Sequence, residues 1–185
     1  MKIDYQLTKQ DYIDFNMNYM SKSKTVKKLF IAQRYIVPII FLLIPFIMIK
    51  SMNIPLGYWV NLFLVGYILW VIFYPKYFKW TSAKRILKML DESENADMLG
   101  NRSLTLTEKG IIDLSILSES KTDWSVIEKI TQTEKHIFIF ISSVAAYILP
   151  VRVFKDENEK KKFIMKLNYM VDKAVKTNPL IAIKK

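Results

Sequence analysis

The chain has no cysteine, a single histidine (His136) and only four glycines in 185 residues. Without thiols there is no disulfide framework, no thiolate zinc site and no thiol nucleophile. One histidine leaves most His-based metal and triad chemistry without its ligands. Four scattered glycines build no phosphate-cradling loop, and Ser142-Ser143 lacks the glycines of a nucleophile elbow. No cofactor and no metal are expected. Carboxylates are also scarce, with 17 Asp+Glu against 28 Lys+Arg for a net charge of +11, although 51% of the residues are hydrophobic and the mean hydropathy is +0.13. The length admits one ordinary domain, or a small domain with a membrane anchor, and excludes a large multidomain enzyme.

Charge and apolarity occupy separate stretches. Residues 1–34 carry +4, residues 35–75 only Lys50, and residues 76–185 carry +6. Tyr35 to Ile49 is uncharged, and so is Ser51 to Pro75. Spans of about 29–49 and 56–75 are each long enough to cross a hydrocarbon core of roughly 30 Å as helices, the first provided that Gln33 and Arg34 lie at an interface where the arginine snorkels. Tyr58, Trp59, Trp70, Tyr74, Tyr77 and Trp80 mark interfacial belts. Lys50 to Gly57 supplies the Asn, Pro and Gly of a turn, which predicts a transmembrane helical hairpin over 29–80. Pro38 and Pro45, seven apart, are tolerable in a membrane helix and favour a kink. Lys22, Lys24, Lys27, Lys28 and Arg34 precede the hairpin and Lys76, Lys79, Lys84, Arg85 and Lys88 follow it, placing both termini in the cytoplasm of a multi-pass cell-membrane protein. The alternatives are a buried helical pair in a soluble protein and, less favoured by the polar residues that come first, a cleaved signal peptide.

Before the hairpin, residues 1–28 read as a strand with Ile3, Tyr5 and Leu7 inward, then a helix opened by a Thr8/Asp11 capping pair with Tyr12, Phe15 and Tyr19 on one stripe. After it, residues 81–100 read as a juxtamembrane helix (Ala83, Ile86, Leu87, Leu90) and an acidic linker from Asp91 to Asn95, whose spacing matches no calcium loop. From residue 101 strands follow one another: Ser103 to Thr107, then an alternation of Ile112, Leu114 and Ile116, then Lys121 to Trp124, Lys129 to Thr133, His136 to Ile141 and Ala145 to Leu149. Asp156 and Glu159 cap a last helix with Phe163, Leu167, Met170, Val171 and Ala174 along its stripe. With the N-terminal strand, about seven antiparallel strands are closed by a C-terminal helix. This is the element order of a pleckstrin-homology-like (PH-like) barrel, so the fold class expected is α+β with a membrane anchor inserted into a PH-like antiparallel barrel or sheet domain, the domain occupying 101–185.

Ile3 to Phe15, the paired apolar region, Leu104-Thr105-Leu106-Thr107-Glu108-Lys109-Gly110, Trp124-Ser125-Val126-Ile127, Ala146-Tyr147-Ile148-Leu149-Pro150 and Phe154 together resemble the YcxB-like family. The resemblance covers nearly the whole chain and implies a small membrane protein of Gram-positive bacteria. It brings no catalytic residues, and makes Trp124, Pro150 and Phe154 structural positions.

Candidate contacts with a membrane surface are Lys27, Lys28, Arg34, Lys76, Lys79, Trp80, Lys84 and Arg85, together with Lys160, Lys161 and Lys162 on the last helix. Lysines beside anionic lipid attract it by about 1 kcal/mol each; the plainer readings are topology determination for the flanking runs and a solvated face for the last three. Trp124 is a core anchor or a stacking residue, and His136 is expected at the surface, with pH sensing as the alternative. Asn61 is the strongly polar side chain within the apolar blocks, where transport pathways normally place ionisable groups. The expected partners are the bilayer, anionic headgroups or another membrane protein, and no nucleic acid, since no groove-reading helix or stacking platform stands out. The function expected is a membrane-anchored, non-enzymatic binding module. An immunity protein against membrane-active peptides and a membrane-bound enzyme are the competing readings.

Overall fold

A computed structural model describes residues 1–44, 46, 55–92 and 98–177. Two compact units are present: Met1–Phe15 with Leu87–Lys185, and Asn16–Ile86.

The first unit is built from both sides of the apolar region. Strand β1 (Lys2–Leu7) alternates as its sequence requires, with Ile3, Tyr5 and Leu7 buried, and pairs antiparallel with β2 (Gly100–Leu106), Lys2 opposite Thr105 and Leu7 opposite Gly100. β3 (Gly110–Leu114) and β4 (Glu119–Asp123) extend this sheet in the order β1-β2-β3-β4. A second sheet holds β5 (Lys129–Gln132), β6 (His136–Phe140) and β7 (Ala146–Pro150) in that order. Among the described residues the expected seven strands are therefore present, but they form two sheets and no closed barrel. The short 3-10 turn Trp124–Val126 ends β4 and drives Trp124 and Ile127 into the core, so that the chain starts a new sheet instead of continuing the ladder. β1 lies beside β7 without pairing to it.

Both sheets feed one apolar cluster that includes Leu104, Ile111, Ile137, Ile139, Leu149 and, from the last helix, Phe163 and Leu167. Full burial of each such side chain is worth about 1.5–3 kcal/mol. Trp124 belongs to this core, its indole Nε1 donating to the Thr107 carbonyl (3.2 Å), and Phe154 packs on Phe163 with ring centroids 5.4 Å apart. Pro150 is buried at the end of β7, opposite His136. Asp156 and Glu159 open the last helix as the spacing predicts, Asp156 Oδ1 accepting from Glu159 N (2.7 Å).

Two inward faces differ from expectation. In β3 the buried side chains are Ile111 and Asp113, while Leu114, and Ile116 just beyond the strand, are exposed. The register sets Ile111 opposite Leu106 and Asp113 opposite Leu104, so a carboxylate takes an inward position that alternation assigns to an apolar side chain. His136, expected at the surface, is buried, because an acid from the N-terminal helix reaches it.

Helix α1 (Lys9–Lys22) starts in the first unit and continues into the second, where α2 (Lys24–Ile31), a π-helical turn (Ala32–Ile36), a 3-10 stretch (Val37–Leu43) and α3 (Leu56–Leu90) follow, the last four residues of α3 belonging to the first unit again. α3 has 35 residues, about 52 Å at 1.5 Å per residue, and is the one helix among the described residues long and apolar enough to cross a membrane. None of its most apolar stretch is buried. The first expected span is helical but irregular as far as it is described, and its far end, the turn from Lys50 to Ile54 and Pro45 lie outside the described residues, so a two-helix hairpin is not shown. Ser93 to Asn95 of the expected linker lie outside them too.

Candidate functional site

Two prolines shape the second unit. Pro38 has no N–H, so Arg34's carbonyl loses its α-helical donor, and the chain passes from α through π to 3-10 geometry across this point. The π turn frees the carbonyl of Gln33, which accepts from Trp70 Nε1 (3.1 Å), while the Gln33 side chain accepts from the Tyr74 hydroxyl. Pro75 lies inside α3 and deprives the Val71 carbonyl of its donor in the same way. Arg34 supplies the replacement, its Nε donating to Val71 O at 3.0 Å while the guanidinium carbon lies 5.0 Å from the Tyr35 ring centre. The arginine placed by its sequence at an interface is thus half-buried and occupied by a main-chain carbonyl. Arg34→Met is expected to destabilise the full chain in detergent micelles by about 1–3 kcal/mol, the cost of an unsatisfied buried acceptor. Adding Pro75→Ala restores the missing N–H and recovers most of that loss; equal losses in the single and double variants, read from denaturant midpoints, would remove this role.

Beside this clasp lies a groove. The second half of α1 contributes Met17, Met20 and Ser21, α2 contributes Val26, Lys27, Phe30 and Ile31, and α3 contributes Pro75, Phe78 and Lys79, around a cavity of about 530 Å³. Ser23 caps α2 by accepting from Val26 N (3.4 Å), which ends α1 and turns the chain so that the two helices flank the opening. Phe30 packs edge-on to Phe78 at 5.1 Å, forming the floor. Lys27 and Lys79, fifty-two positions apart in sequence, thereby meet one cavity. Lys28, Lys76, Trp80, Lys84 and Arg85 are exposed outside the groove, with the Lys84 ammonium 4.9 Å from the Trp80 ring centre. The sequence has no Asp or Glu between Asp14 and Asp91. Neither Lys27 nor Lys79 has an ion-pair partner among the described residues. Lys160 on the last helix is held by Glu157 (3.0 Å), whereas Lys161 and Lys162 are exposed.

The first unit contains two buried polar clusters that the sequence did not announce. Asp11, 2% exposed, accepts from Thr8 N (2.8 Å), Thr8 Oγ1 (2.7 Å), His136 Nε2 (2.7 Å) and both terminal nitrogens of Arg152 (2.6 Å each). Burial alone raises its pKa, but the hydrogen bonds from Arg152, His136 and Thr8 outweigh it and hold the carboxyl well below the usual range. His136 lies flat on Phe138, and its Nδ1 is 3.9 Å from Asp14. Arg152 also donates to the Gln6 carbonyl (3.0 Å), so this cluster fastens the start of α1 to β1, β6 and the end of β7. In the second, Asp113 meets Arg102 (3.3 Å) and the Tyr5 hydroxyl (3.5 Å), and burial pushes the Tyr5 phenol up. Only the Thr8/Asp11 spacing was a sequence signal here; His136 and Arg152 stand 125 and 141 positions from Asp11. Neither cluster places a serine or cysteine nucleophile against His136. No metal-holding group of three or more His, Asp or Glu occurs among the described residues.

The family described as YcxB-like protein matches residues 106–167, a stretch from the end of β2 into the last helix. No curated protein and no solved structure matches the chain.

Proposed function

We propose that this is a membrane-anchored, non-enzymatic binding module. α3 is its membrane crossing, the irregular helical segment before it forms a second one, and the two-sheet unit, ordered like a PH-like domain, works on the cytoplasmic face against a protein, a peptide or a headgroup. The observation that carries the reading is the exposure of α3's apolar stretch, where Leu62, Ile68, Ile72 and Phe73 are each about half or more open. In water such a surface is unfavourable at roughly 25 cal/mol per Å², and a bilayer removes that cost. The lysines after the apolar stretch, with Trp80 among them, suit a headgroup layer on the cytoplasmic side.

Because the chain has no cysteine, single cysteines report topology without background. Asn53→Cys is expected to react with an impermeant maleimide on intact cells, Ser118→Cys only after lysis, and the protein to stay with the membrane through an alkaline carbonate wash. Recovery in the soluble fraction would end this reading. Labelling of both positions from the same side would end the double crossing.

A further inference from the structure

We propose that the groove between α1, α2 and α3 is a specific site for one anionic phospholipid, whose phosphate is held between Lys27 and Lys79 while an acyl chain lies along Phe30, Ile31 and Phe78. The inference rests on the reading of α3 as a membrane helix and adds to it a ligand and its contacts. At about 530 Å³ the cavity is of ligand-binding size, and it has the usual make-up of such sites, an apolar lining with a few polar groups at defined places.

Its polar groups are one-sided. The Ser21 hydroxyl is already donated to the Asn18 carbonyl (2.7 Å), which leaves the two ammonium groups as its charged chemistry. The unit that forms the groove contains no carboxylate of its own, since none occurs between Asp14 and Asp91. The counter-charge for Lys27 and Lys79 therefore comes from outside it. A free anion would satisfy the lysines and leave the apolar floor exposed, and a neutral acyl compound would do the reverse. An anionic phospholipid satisfies both, with lysine as the point-charge partner of phosphate. A zwitterionic lipid carries its own ammonium into the same place and is disfavoured. The depth also fits: Lys79 lies one helical turn beyond Pro75, where α3's uncharged stretch ends, and precedes Trp80, the type of residue that settles at the headgroup level.

The test is native mass spectrometry on the full chain, purified in detergent and exposed to phosphatidylglycerol or phosphatidylcholine, with carbonate extraction of the same variants from cells. Wild type is expected to retain one phosphatidylglycerol in preference to phosphatidylcholine. Lys27→Gln/Lys79→Gln lowers that retention by roughly thirtyfold, from two lysines at about 1 kcal/mol each. Val26→Phe, which narrows the cavity with both lysines intact, also lowers it. Lys76→Gln/Lys84→Gln, outside the groove, leaves it unchanged. Equal retention of the two lipids, or equal losses from the two lysine pairs, would overturn the site while carbonate-resistant wild-type protein keeps the membrane reading intact. Carbonate-extractable wild-type protein would overturn both.

Discussion

Asp11→Ala is expected to destabilise the sheet unit by about 3–5 kcal/mol, the range for removing one partner of a buried charge pair. The substitution withdraws the acceptor for Thr8, His136 and Arg152 at once. Part of the loss is a helix cap, worth about 1 kcal/mol, and the larger part comes from His136, which keeps a buried polar ring without its partner. Arg152 is about half exposed and rehydrates, which places the value near the lower end of the range. The sign with pH follows from the depressed pKa of Asp11. The unfolded chain takes up a proton near the ordinary carboxylate value of about 3.9, whereas the folded chain does so only at lower pH. The stabilisation is therefore complete above about pH 4 and is lost as pH falls through the folded value. Asp11→Asn removes this charge linkage and flattens the acid limb. Denaturant midpoints across the acid range, with amide exchange of β1 and β6, measure both effects. A variant with wild-type midpoints and protection would show that the cluster holds nothing.

Gly110→Ala comes next in size. Gly110 opens β3 opposite Asp123, and a methyl group on it would sit 2.0 Å from the Thr122 carbonyl oxygen and 2.8 Å from its carbon. The obstruction is main chain, so no side-chain rotation relieves it; β3 and β4 have to separate at their first pair. Overpacking costs about 1–3 kcal/mol where side chains adjust, and here the expected loss is about 3 kcal/mol or more. The Thr107 hydroxyl that bridges Gly110 N (3.1 Å) and Gly110 O (2.7 Å) loses its geometry in the same movement. Gly66→Ala is the contrasting variant. It has open space around it in α3 and is expected to be neutral or mildly stabilising. Equal midpoints for the two variants would contradict the close approach.

Where local pattern and burial coincide, the sequence was a sound guide. β1 shows its three inward positions, and the last helix buries Phe163, Leu167 and Val171 as their spacing indicates. The strand count of seven also stood. Closure did not, because whether β4 pairs onward depends on where the chain is sent by Trp124 and Ile127, and periodicity carries no information about that. β3 was read one residue out of phase because Asp113 and Ile111, not Ile112 and Leu114, face inward, and a buried acid becomes acceptable only beside Arg102 and Tyr5 from other strands. His136 failed for the same reason. Its environment is supplied by residues far away along the chain. The basic residues around the apolar region were all visible, yet nothing in their spacing set Lys27 and Lys79 over one cavity and the others outside it. Arg34 was legible as a cation near an apolar segment, but its real partner is a carbonyl orphaned by Pro75, a relation that needs two helices side by side.

The pairing of β1 with β2 sets an order of events during synthesis. Lys2 lies opposite Thr105, so the first strand leaves the ribosome about a hundred residues before its partner exists. In that interval both apolar stretches emerge and find their surroundings. Closing so long a loop is slow and entropically costly, and a prior fixed position for the intervening chain limits the search. β1, an edge strand with an unpaired ladder, waits in the meantime, and the charged side chains of Lys2 and Asp4 on its outward face keep it from pairing with the wrong partner. The sheet unit is thus completed last, after the chain between its first two strands has been made.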